Sequence, residues 1–330
     1  MLLLAGDIGG TKTELALYEQ AGGAALELAS TRYDSRAHAT FDRVLLDFLQ
    51  GRRVDAAGLA VAGPVVDGRC KATNLPWELD EHLLSALIAA PVVLSNDFSA
   101  TVLGIAELSP TDLEVLSAGE RDPLGPIAVL GAGTGLGEAV ALPLPQGLHV
   151  LPSEGGHADF APRDEIEMDL LRFLRKRVGG RVSIERALSG PGLIAVHEFT
   201  RASGLAASTP ETEAQMRSGD VAEVISRRGI SGEDPACARA LELFVSLYGA
   251  EAGNLALKVL PTGGLFVAGG MAPKLIEVLR RGEFMRSLLD KGRMRPVLER
   301  VPVAVVMNPR IALLGARATA SVVYRTRQAR

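Results

Sequence analysis

Cysteine is scarce in this chain: its 330 residues include only Cys70 and Cys237. Two thiols are too few for a four-cysteine zinc or iron–sulfur site. A disulfide is not expected in a cytosolic protein. We therefore interpret both cysteines as small buried or incidental residues.

Long apolar runs and an excess of one charge are also missing. No uninterrupted apolar stretch reaches the length of a membrane span. The apolar run at residues 1–5 lacks a basic leader and stops at Gly6-Asp7, so it does not fit a signal peptide. The net charge of −4 gives no basic footprint for nucleic acid or an anionic membrane. We therefore predict a cytoplasmic protein with no nucleic-acid or membrane partner.

Two glycine-threonine loops are the most informative motifs of the chain. They read Gly6-Asp7-Ile8-Gly9-Gly10-Thr11-Lys12-Thr13 and Gly131-Ala132-Gly133-Thr134-Gly135-Leu136-Gly137. Each lies between two strand-like runs and is predicted to form the tip of a β-hairpin. Glycines let backbone N–H groups approach an anion, and threonine hydroxyls can bind phosphate oxygens. Asp7 would repel phosphate unless a cation stood between them, and we expect that cation to be Mg²⁺.

Neither loop matches the commoner nucleotide motifs. A P-loop starting at Gly6 requires glycine where Thr11 stands, and a dinucleotide fingerprint starting at Gly131 requires glycine where Leu136 stands. Each loop alone could be an ordinary hairpin turn. Their recurrence, with Asp7 in the first, favours a phosphate clamp.

The order of apolar runs predicts an α/β protein of two similar halves. Strand-like runs come first, and stretches with apolar residues at helical spacing, such as 41–49 and 81–88, then alternate with strands. This order predicts a mixed sheet flanked by helices. Because a strand, a glycine-threonine turn and another strand recur at 2–18 and 127–144, we infer an internal duplication whose halves face each other across a cleft. The last six residues, 325–330, are interpreted as a solvated tail.

Three polar clusters are candidates for chemistry. Asn96-Asp97 follows a buried-strand pattern, where α/β proteins place sites, although Asp97 could instead cap a helix that begins near Ser99. Glu154-Gly155-Gly156-His157 combines groups that suit a polyol such as a sugar, and its Glu-x-x-His spacing leaves a metal pair as an alternative. Glu185 precedes a turn and could belong to a helix capped by Ser183.

These motifs, taken together and in this order, resemble the bacterial glucokinase family. They are Asp7-Ile8-Gly9-Gly10-Thr11, Asn96-Asp97-Phe98, the loop at 131–137, Glu154-Gly155-Gly156-His157, the segment Glu185–Gly192 and Ala268-Gly269-Gly270. The resemblance runs from Gly6 to about Gly315. It implies the two-domain actin-like ATPase (ribonuclease H-like) fold, with mixed sheets, flanking helices and an interdomain cleft. We place the small domain at 1–107 plus 306–330 and the large domain at 108–305.

The resemblance also implies a glycolytic reaction in which ATP phosphorylates the 6-hydroxyl of D-glucose. Asp97 would be the catalytic base, and the sugar would be bound by Asn96, Asp97, Glu154, His157 and Glu185. Asp7 would act on Mg²⁺ directly or through water. The nucleotide would be bound by Gly6, Asp7, Gly9, Gly10, Thr11, Lys12, Gly131, Ala132, Gly133, Thr134, Gly135, Gly269 and Gly270. The state common among related enzymes is a homodimer.

Two departures and three alternatives accompany this interpretation. Lys12 stands where the glucokinase family usually has asparagine. Lysine at this place is more familiar from the related repressor, open-reading-frame and kinase family. That second family usually carries a cysteine-rich zinc motif. Because this chain lacks the motif, the resemblance to the glucokinase family is favoured. A kinase of another hexose, such as fructose or an amino sugar, remains the nearest alternative. A sugar-binding regulator without catalysis and a chaperone-like ATPase fit the residues less well, because Asp97 and the Glu154, His157 and Glu185 set are all present.

Overall fold

The structure is a computed structural model that describes residues 1–21, 24–145 and 147–328. The strands among these residues are β1 (Leu2–Ile8), β2 (Lys12–Ala21), β3 (Ala24–Asp34), β4 (Ala56–Val61), β5 (Arg69–Lys71), β6 (Glu78–Asp80), β7 (Val92–Asn96), β8 (Leu113–Ser117), β9 (Ile127–Ala132), β10 (Leu136–Leu144), β11 (Gly147–Ser153), β12 (Gly264–Ala268) and β13 (Val303–Val306). The α-helices are α1 (Phe41–Leu49), α2 (Glu81–Ile88), α3 (Asp97–Gly104), α4 (Glu165–Val178), α5 (Gly190–Ala202), α6 (Pro210–Ser218), α7 (Val221–Ile230), α8 (Pro235–Val259), α9 (Ile276–Leu279), α10 (Glu283–Leu289), α11 (Arg295–Leu298) and α12 (Ile311–Gln328). Within the described part of the chain, none of these helices has both the length and the apolar content that a membrane span requires.

The first sheet has the strand order β3-β2-β1-β4-β7. Strands β1, β2 and β3 form an antiparallel meander, and β4 and β7 then add in parallel to β1. This mixed arrangement confirms the order of elements predicted from the sequence. Helix α1 spans the predicted residues and buries Phe41, Val44, Leu45 and Phe48, the stripe expected from their helical spacing.

The second sheet repeats this topology. Its order is β11-β10-β9-β12-β13-β8, in which β9, β10 and β11 form an antiparallel meander and β12 and β13 add in parallel. Strand β8 then pairs antiparallel with β13 at the edge. Each glycine-threonine loop joins the first two strands of a meander, so both are hairpin tips, as predicted, at equivalent places in the two sheets.

The chain divides into two compact units. One contains residues 1–111 and 308–330, and the other contains residues 112–307. The boundaries predicted from the sequence are 107/108 and 305/306. It stays a prediction that each unit is an independent domain. Helix α12 continues to Gln328, so the tail expected from residue 325 is helical and exposed as far as 328. Its last two residues lie outside the described part of the chain.

Helix α12 packs very closely against α3 and β4 within the first unit. A Cβ added to Gly315 of α12 would lie 1.7 Å from the carbonyl oxygen of Ala100, and one added to Gly58 of β4 would lie 2.0 Å from that of Ala316. Real Cβ atoms do not approach oxygen so closely, so the backbones themselves are in contact at these two glycines.

We therefore expect Gly315→Ala to lower the free energy of unfolding by about 2 kcal/mol. The methyl group overlaps backbone, which costs ~3 kcal/mol, and the better helix propensity of alanine returns ~1 kcal/mol. Urea denaturation measures the difference, with Gly180→Ala as control because a Cβ there meets nothing within 4 Å. A Gly315→Ala protein as stable as the wild type would contradict this packing.

Candidate active site

The first glycine-threonine loop is a tight turn that Ser35 holds in place. The N–H of Gly9 donates to the carbonyl oxygen of Lys12 at 3.0 Å. The buried Ser35 donates its hydroxyl to the Gly9 carbonyl at 2.8 Å and its N–H to the Thr11 carbonyl at 3.0 Å. Two carbonyl oxygens that would repel a phosphate are therefore engaged within the protein. Sequence reasoning missed Ser35, because nothing beside it in the chain marks it.

Asp7 is the penultimate residue of β1 and is near a second carboxylate, that of Asp97. Burial raises the pKa of Asp7 to about 6, the charge of Asp97 adds to the rise, and the charge of Lys12 opposes it. A cation would stabilise two neighbouring carboxylates of this kind, and oxygen donors are the ligands that Mg²⁺ prefers. The residues present therefore fit the predicted magnesium site.

The other predicted residues of this loop differ in their surroundings. Thr11 and Lys12 are exposed at the tip. Gly6 is buried within β1, where a Cβ would lie 2.7 Å from the side chain of Leu59 and 2.8 Å from that of Leu15. Its lack of a side chain is thus explained by packing on the sheet.

A segment that the sequence analysis did not single out lies against the first loop. A Cβ on Gly10 would be 2.9 Å from the carbonyl oxygen of Thr73 and 3.4 Å from the Cβ of Asn74. Thr73 donates its N–H to Ala62 at 2.8 Å, and Ala62 donates to Ile8 of β1 at 2.9 Å. Asn74 has a φ of +63°, which asparagine tolerates better than most residues. The Asn-Leu-Pro sequence here is a turn signal that could have revealed this segment.

Asn96 and Asp97 occupy the junction of β7 and α3. The side-chain oxygen of Asn96 accepts hydrogen bonds from the N–H groups of Phe98 at 2.9 Å and Ser99 at 3.3 Å, and its amide donates to the Gly63 carbonyl at 3.1 Å. Asn96 is therefore the N-cap of a helix that begins at Asp97. The alternative in which Asp97 caps a helix starting near Ser99 is wrong.

The Asp97 carboxylate is held in the first turn of α3. It is partly exposed, and it accepts a hydrogen bond from the N–H of Phe98 at 2.8 Å. Burial raises the pKa of Asp97 above its ordinary value, while the bond from Phe98 acts in the opposite direction. An unperturbed aspartate has a pKa of about 3.9. The observed environment makes Asp97 a stronger base than that.

The second glycine-threonine loop, in the other unit, holds Glu185. The N–H of Gly133 donates to the Gly135 carbonyl at 2.8 Å, and Thr134 is exposed at the tip. The N–H of Leu136 donates to Glu185 Oε2 at 3.0 Å, and a Cβ on Gly135 would lie 2.5 Å from the same oxygen. A carboxylate predicted to bind sugar is thus fixed against a loop predicted to bind phosphate.

Glu154 and His157 lie at the two ends of a short turn after β11. Glu154 Oε2 is 3.8 Å from His157 Nε2, and their side chains are 91% and 56% exposed. A Cβ on the buried Gly156 between them would lie 2.0 Å from the carbonyl oxygen of Leu136. The turn therefore packs directly on the second loop, while its two polar side chains are accessible to a ligand.

Backbone pairing brings Glu185 beside this turn. Asp159 and Ser183 form an antiparallel bridge, and the N–H of Ile184 donates to the Ala158 carbonyl at 2.9 Å. The three sugar-binding residues predicted in this unit therefore belong to adjoining segments. Ser183 stands at the N-cap position of a short 3₁₀ turn, as expected, but its side chain makes no capping hydrogen bond. The expected capping bond is therefore wrong.

Gly269 and Gly270 lie next to the second loop. Gly269 has a φ of +82°, and a Cβ there would lie 2.6 Å from the carbonyl oxygen of Ala132. The same oxygen accepts a hydrogen bond from the N–H of Met271 at 3.3 Å. Gly131 is buried in β9. The predicted nucleotide-binding residues of this unit thus lie together.

Two glycines of this group have open space where a side chain would stand. A Cβ on Gly133 or on Gly270 would meet nothing within 4 Å, and neither residue has a positive φ. The fold itself does not require glycine at either position. The open space leaves backbone accessible to a ligand, which fits the predicted nucleotide.

The buried residues His197, Asp234 and Cys237 are the group with metal-ligand spacing among the described residues. Asp234 accepts hydrogen bonds from the N–H groups of Cys237 at 2.8 Å and Thr209 at 2.7 Å. It is the N-cap of α8. These bonds satisfy both carboxylate oxygens, so the group is explained as a helix cap.

Comparison with known proteins places the chain in a family. A family model described as Glucokinase matches residues 4–322. The glucokinase of Trichormus variabilis is 42% identical over 333 residues, covering 96% of this chain and 97% of its own. A glucokinase structure from an Antarctic psychrotroph superposes with a TM-score of 0.85 and 30% identity, covering 97% and 98% of the two chains.

Structural neighbours also establish the fold. A ROK family glucokinase from Streptomyces griseus has a TM-score of 0.65 at 22% identity, with 97% of this chain and 99% of its own covered. The neighbours are sugar kinases of the actin-like ATPase fold, which confirms the predicted fold class. With a family model and a relative that both span nearly its whole length, this chain belongs to the glucokinase family.

Proposed function

We propose that the protein transfers the terminal phosphoryl group of ATP to the 6-hydroxyl of D-glucose, with Asp97 as the base. Membership of the glucokinase family supports this reaction. The Streptomyces griseus neighbour was solved in complex with glucose and AMPPNP, an analogue of ATP. The single observation that carries the proposal is the Asp97 carboxylate, which stands in the first turn of the helix capped by Asn96, accepts a hydrogen bond from the N–H of Phe98 and has its pKa raised by burial.

Asp97 would orient the sugar hydroxyl and accept its proton. Phosphoryl transfer passes through a loose transition state in which the enzyme supplies mainly position and charge neutralisation. The proton can then move late, so the base does not have to ionise an alcohol in the ground state. A pKa raised above that of an ordinary aspartate brings the base closer to working pH, which favours this step.

Asp7 and the two loops would bind the phosphates. Mg²⁺, when bound, would neutralise charge on the transferring group. Asp7 would hold it directly or through water, and the exposed Thr11 and Lys12 would donate to phosphate oxygens. The second loop would contribute Thr134 and the backbone of Gly133.

This role of Asp7 predicts an acid limit to activity. Because the pKa of Asp7 lies at about 6, Asp7 is ionised above that pH and protonated below it. We expect kcat/KM for MgATP, which reports the free enzyme, to fall towards tenfold per pH unit below pH ~6. Initial rates between pH 5 and 8 at excess magnesium give the profile. A constant kcat/KM down to pH 5 would remove Asp7 from this role.

Three residues of the second unit would bind the sugar hydroxyls. Glu154 and Glu185 accept hydrogen bonds, and His157 can donate or accept according to its tautomer, so the set distinguishes hydroxyl directions. Asn96 would contribute through its amide hydrogens only, because its side-chain oxygen already accepts two backbone N–H groups. One of the two amide hydrogens already donates to the Gly63 carbonyl.

Because of the open space at Gly133, we expect a substitution there to change nucleotide binding without changing the stability of the protein. We expect Gly133→Ala to unfold at the wild-type temperature, because its methyl group meets no protein atom within 4 Å. The same methyl would occupy the nucleotide site and raise the KM for ATP by about tenfold, equivalent to ~1.4 kcal/mol. Gly180→Ala, which is equally uncrowded and lies outside the predicted nucleotide-binding loops, is the control. An unchanged KM for ATP in Gly133→Ala would argue against nucleotide binding at this loop.

A hexose panel tests the proposed substrate. Coupled ADP release is measured with glucose, fructose, glucosamine, mannose and no sugar. Glucose should give the highest kcat/KM, and ADP release without sugar should be low because the enzyme would otherwise waste ATP. A higher kcat/KM for another hexose would identify that hexose as the substrate instead of glucose. ADP release that is not stimulated by any of the sugars would indicate an ATPase.

Compartment and assembly complete the proposal. We place the protein in the cytoplasm, and its two free buried cysteines agree with a reducing compartment. The resemblance to related enzymes implies a homodimer. Light scattering coupled to size-exclusion chromatography would measure the mass of the assembly.

A further inference from the structure

Two buried carboxyl groups of the second unit act on each other through their charges. Glu138 of β10 is 2% exposed and Glu251 of α8 is 5% exposed. Oxygen Oε1 of Glu138 is buried without a hydrogen-bond partner among the described residues. Glutamate is rarely buried so fully unless it is paired. The position of these two residues therefore calls for a physical explanation.

A shared proton explains how both groups can be buried. Two ionised carboxylates so close that the charge of one acts on the other would repel each other, and a proton on one of them removes that repulsion. Burial and the charge of Glu251 raise the pKa of Glu138 to about 7, and the charge of Lys258 opposes the rise. Below that pH the pair of carboxyl groups carries one proton.

The charged groups around the pair lie on the side of Glu251. Lys258 Nζ is 3.9 Å from one oxygen of Glu251, and the amide of Asn254 donates to the other at 2.9 Å. Lys291 in turn donates to Asn254 at 2.6 Å. Lys258 and Asn254 therefore stabilise a negative charge on Glu251, whereas burial disfavours a negative charge on Glu138.

Glu138 also touches the turn that carries Glu154 and His157. A Cβ on Gly155 would lie 2.0 Å from Glu138 Oε2, so the carboxyl group lies directly against the Gly155 backbone. Glu138 pairs in register with Ser153, whose hydroxyl accepts a hydrogen bond from the N–H of Gly155 at 3.0 Å. A shift of this carboxyl group towards Gly155 would therefore displace the turn.

We propose that Glu138 is a positioning residue for sugar binding: its buried carboxyl group, which lies against the Gly155 backbone, holds Gly155 and thereby Glu154 and His157 in place. This inference rests on the proposed binding of sugar by those two residues. Loss of the proton at higher pH leaves two neighbouring anions, and we expect their repulsion to displace Glu138 and with it Gly155. The KM for glucose then rises with pH, while kcat, which depends on Asp97 and the phosphate loops, changes little.

The test compares glucose KM and kcat from pH 6 to 9, at saturating MgATP, in wild type, Glu138→Gln and Glu138→Ala. The wild-type KM should rise by about threefold or more above pH ~7, and by no more than tenfold per pH unit. In Glu138→Gln the amide donates to Glu251 without titrating, so KM should stay low across the range. In Glu138→Ala the support for Gly155 is lost and KM should be raised at every pH. Glu242→Gln, an exposed substitution on α8, should follow the wild-type profile.

Glucose binding by calorimetry separates this inference from the proposed function. A wild type that binds and phosphorylates glucose, with a KM profile identical to that of Glu138→Gln, would overturn the positioning role and leave the proposed function intact. The other side chains of the turn are the same in both proteins, so their effects cancel in the comparison. A wild type that neither binds nor phosphorylates glucose would overturn both. Should Glu138→Ala fail to fold, the wild-type and Glu138→Gln profiles still decide the matter.

Discussion

Asp97→Asn should reduce kcat by at least 10²-fold and up to about 10⁴-fold, the range that a general base contributes. Asparagine keeps the shape of the side chain and can still accept the hydrogen bond from the N–H of Phe98, but it cannot take a proton. Glucose affinity should be largely retained, because the amide can still bind the hydroxyl. The measurement is coupled ADP release for kcat, with calorimetry for glucose binding.

The fold should survive this substitution. The helix cap is Asn96, and a neutral side chain at position 97 removes a charge that burial disfavours and that repels Asp7. Asp42→Asn, at an exposed position in the first turn of α1, is the matched control and should keep wild-type activity. Wild-type turnover in Asp97→Asn would remove that residue from its role.

Asp7→Asn should lower kcat/KM for MgATP by about 100-fold or more. A metal ion supplies several kcal/mol of transition-state charge stabilisation, and each 1.36 kcal/mol lost is a factor of ten in rate. The amide is a poorer ligand for Mg²⁺ and no longer balances its charge, so the variant should also need more magnesium for half-maximal rate. Titration of magnesium at fixed ATP measures both effects.

The stability of Asp7→Asn distinguishes a lost ligand from a damaged loop. Its thermal unfolding temperature, measured without nucleotide, should not be below that of the wild type, because burial and the charge of Asp97 disfavour the ionised aspartate. A variant with a normal magnesium requirement and normal kcat/KM would show that Asp7 does not act on the metal. A variant that is inactive and unstable would indicate a structural role.

Local patterns in the sequence predicted the elements whose causes are local. The apolar spacing of α1 gave its bounds, and the glycine-threonine turns gave both hairpins, because a turn and its flanking strands are adjacent in the chain. Strand β11 was missed because Gly147–Ser153 includes proline and lacks alternation. Helix α5 was missed because it begins Gly-Pro-Gly, which has the composition of a turn.

Features that depend on distant partners could not be predicted in this way. Ser35 is identified only by its bonds to Gly9 and Thr11, and the Asn74 segment only by its approach to Gly10. The electrostatic interaction of Glu138 with Glu251 joins a strand to a helix more than a hundred residues later. The raised pKa of Asp97 is likewise a consequence of burial, which periodicity near residue 97 does not reveal. For the same reason, residue types predicted the chemistry of the candidate site, but its electrostatics required the structure.

The most direct test of the central claim, phosphoryl transfer to the 6-hydroxyl of glucose, compares D-glucose with 6-deoxyglucose in ADP release, with the product examined by ³¹P NMR. The account predicts glucose 6-phosphate as the product from glucose. It predicts no stimulated ADP release from 6-deoxyglucose, which should nevertheless inhibit competitively with glucose. Phosphate on another hydroxyl, or equal ADP release with the two sugars, would contradict it.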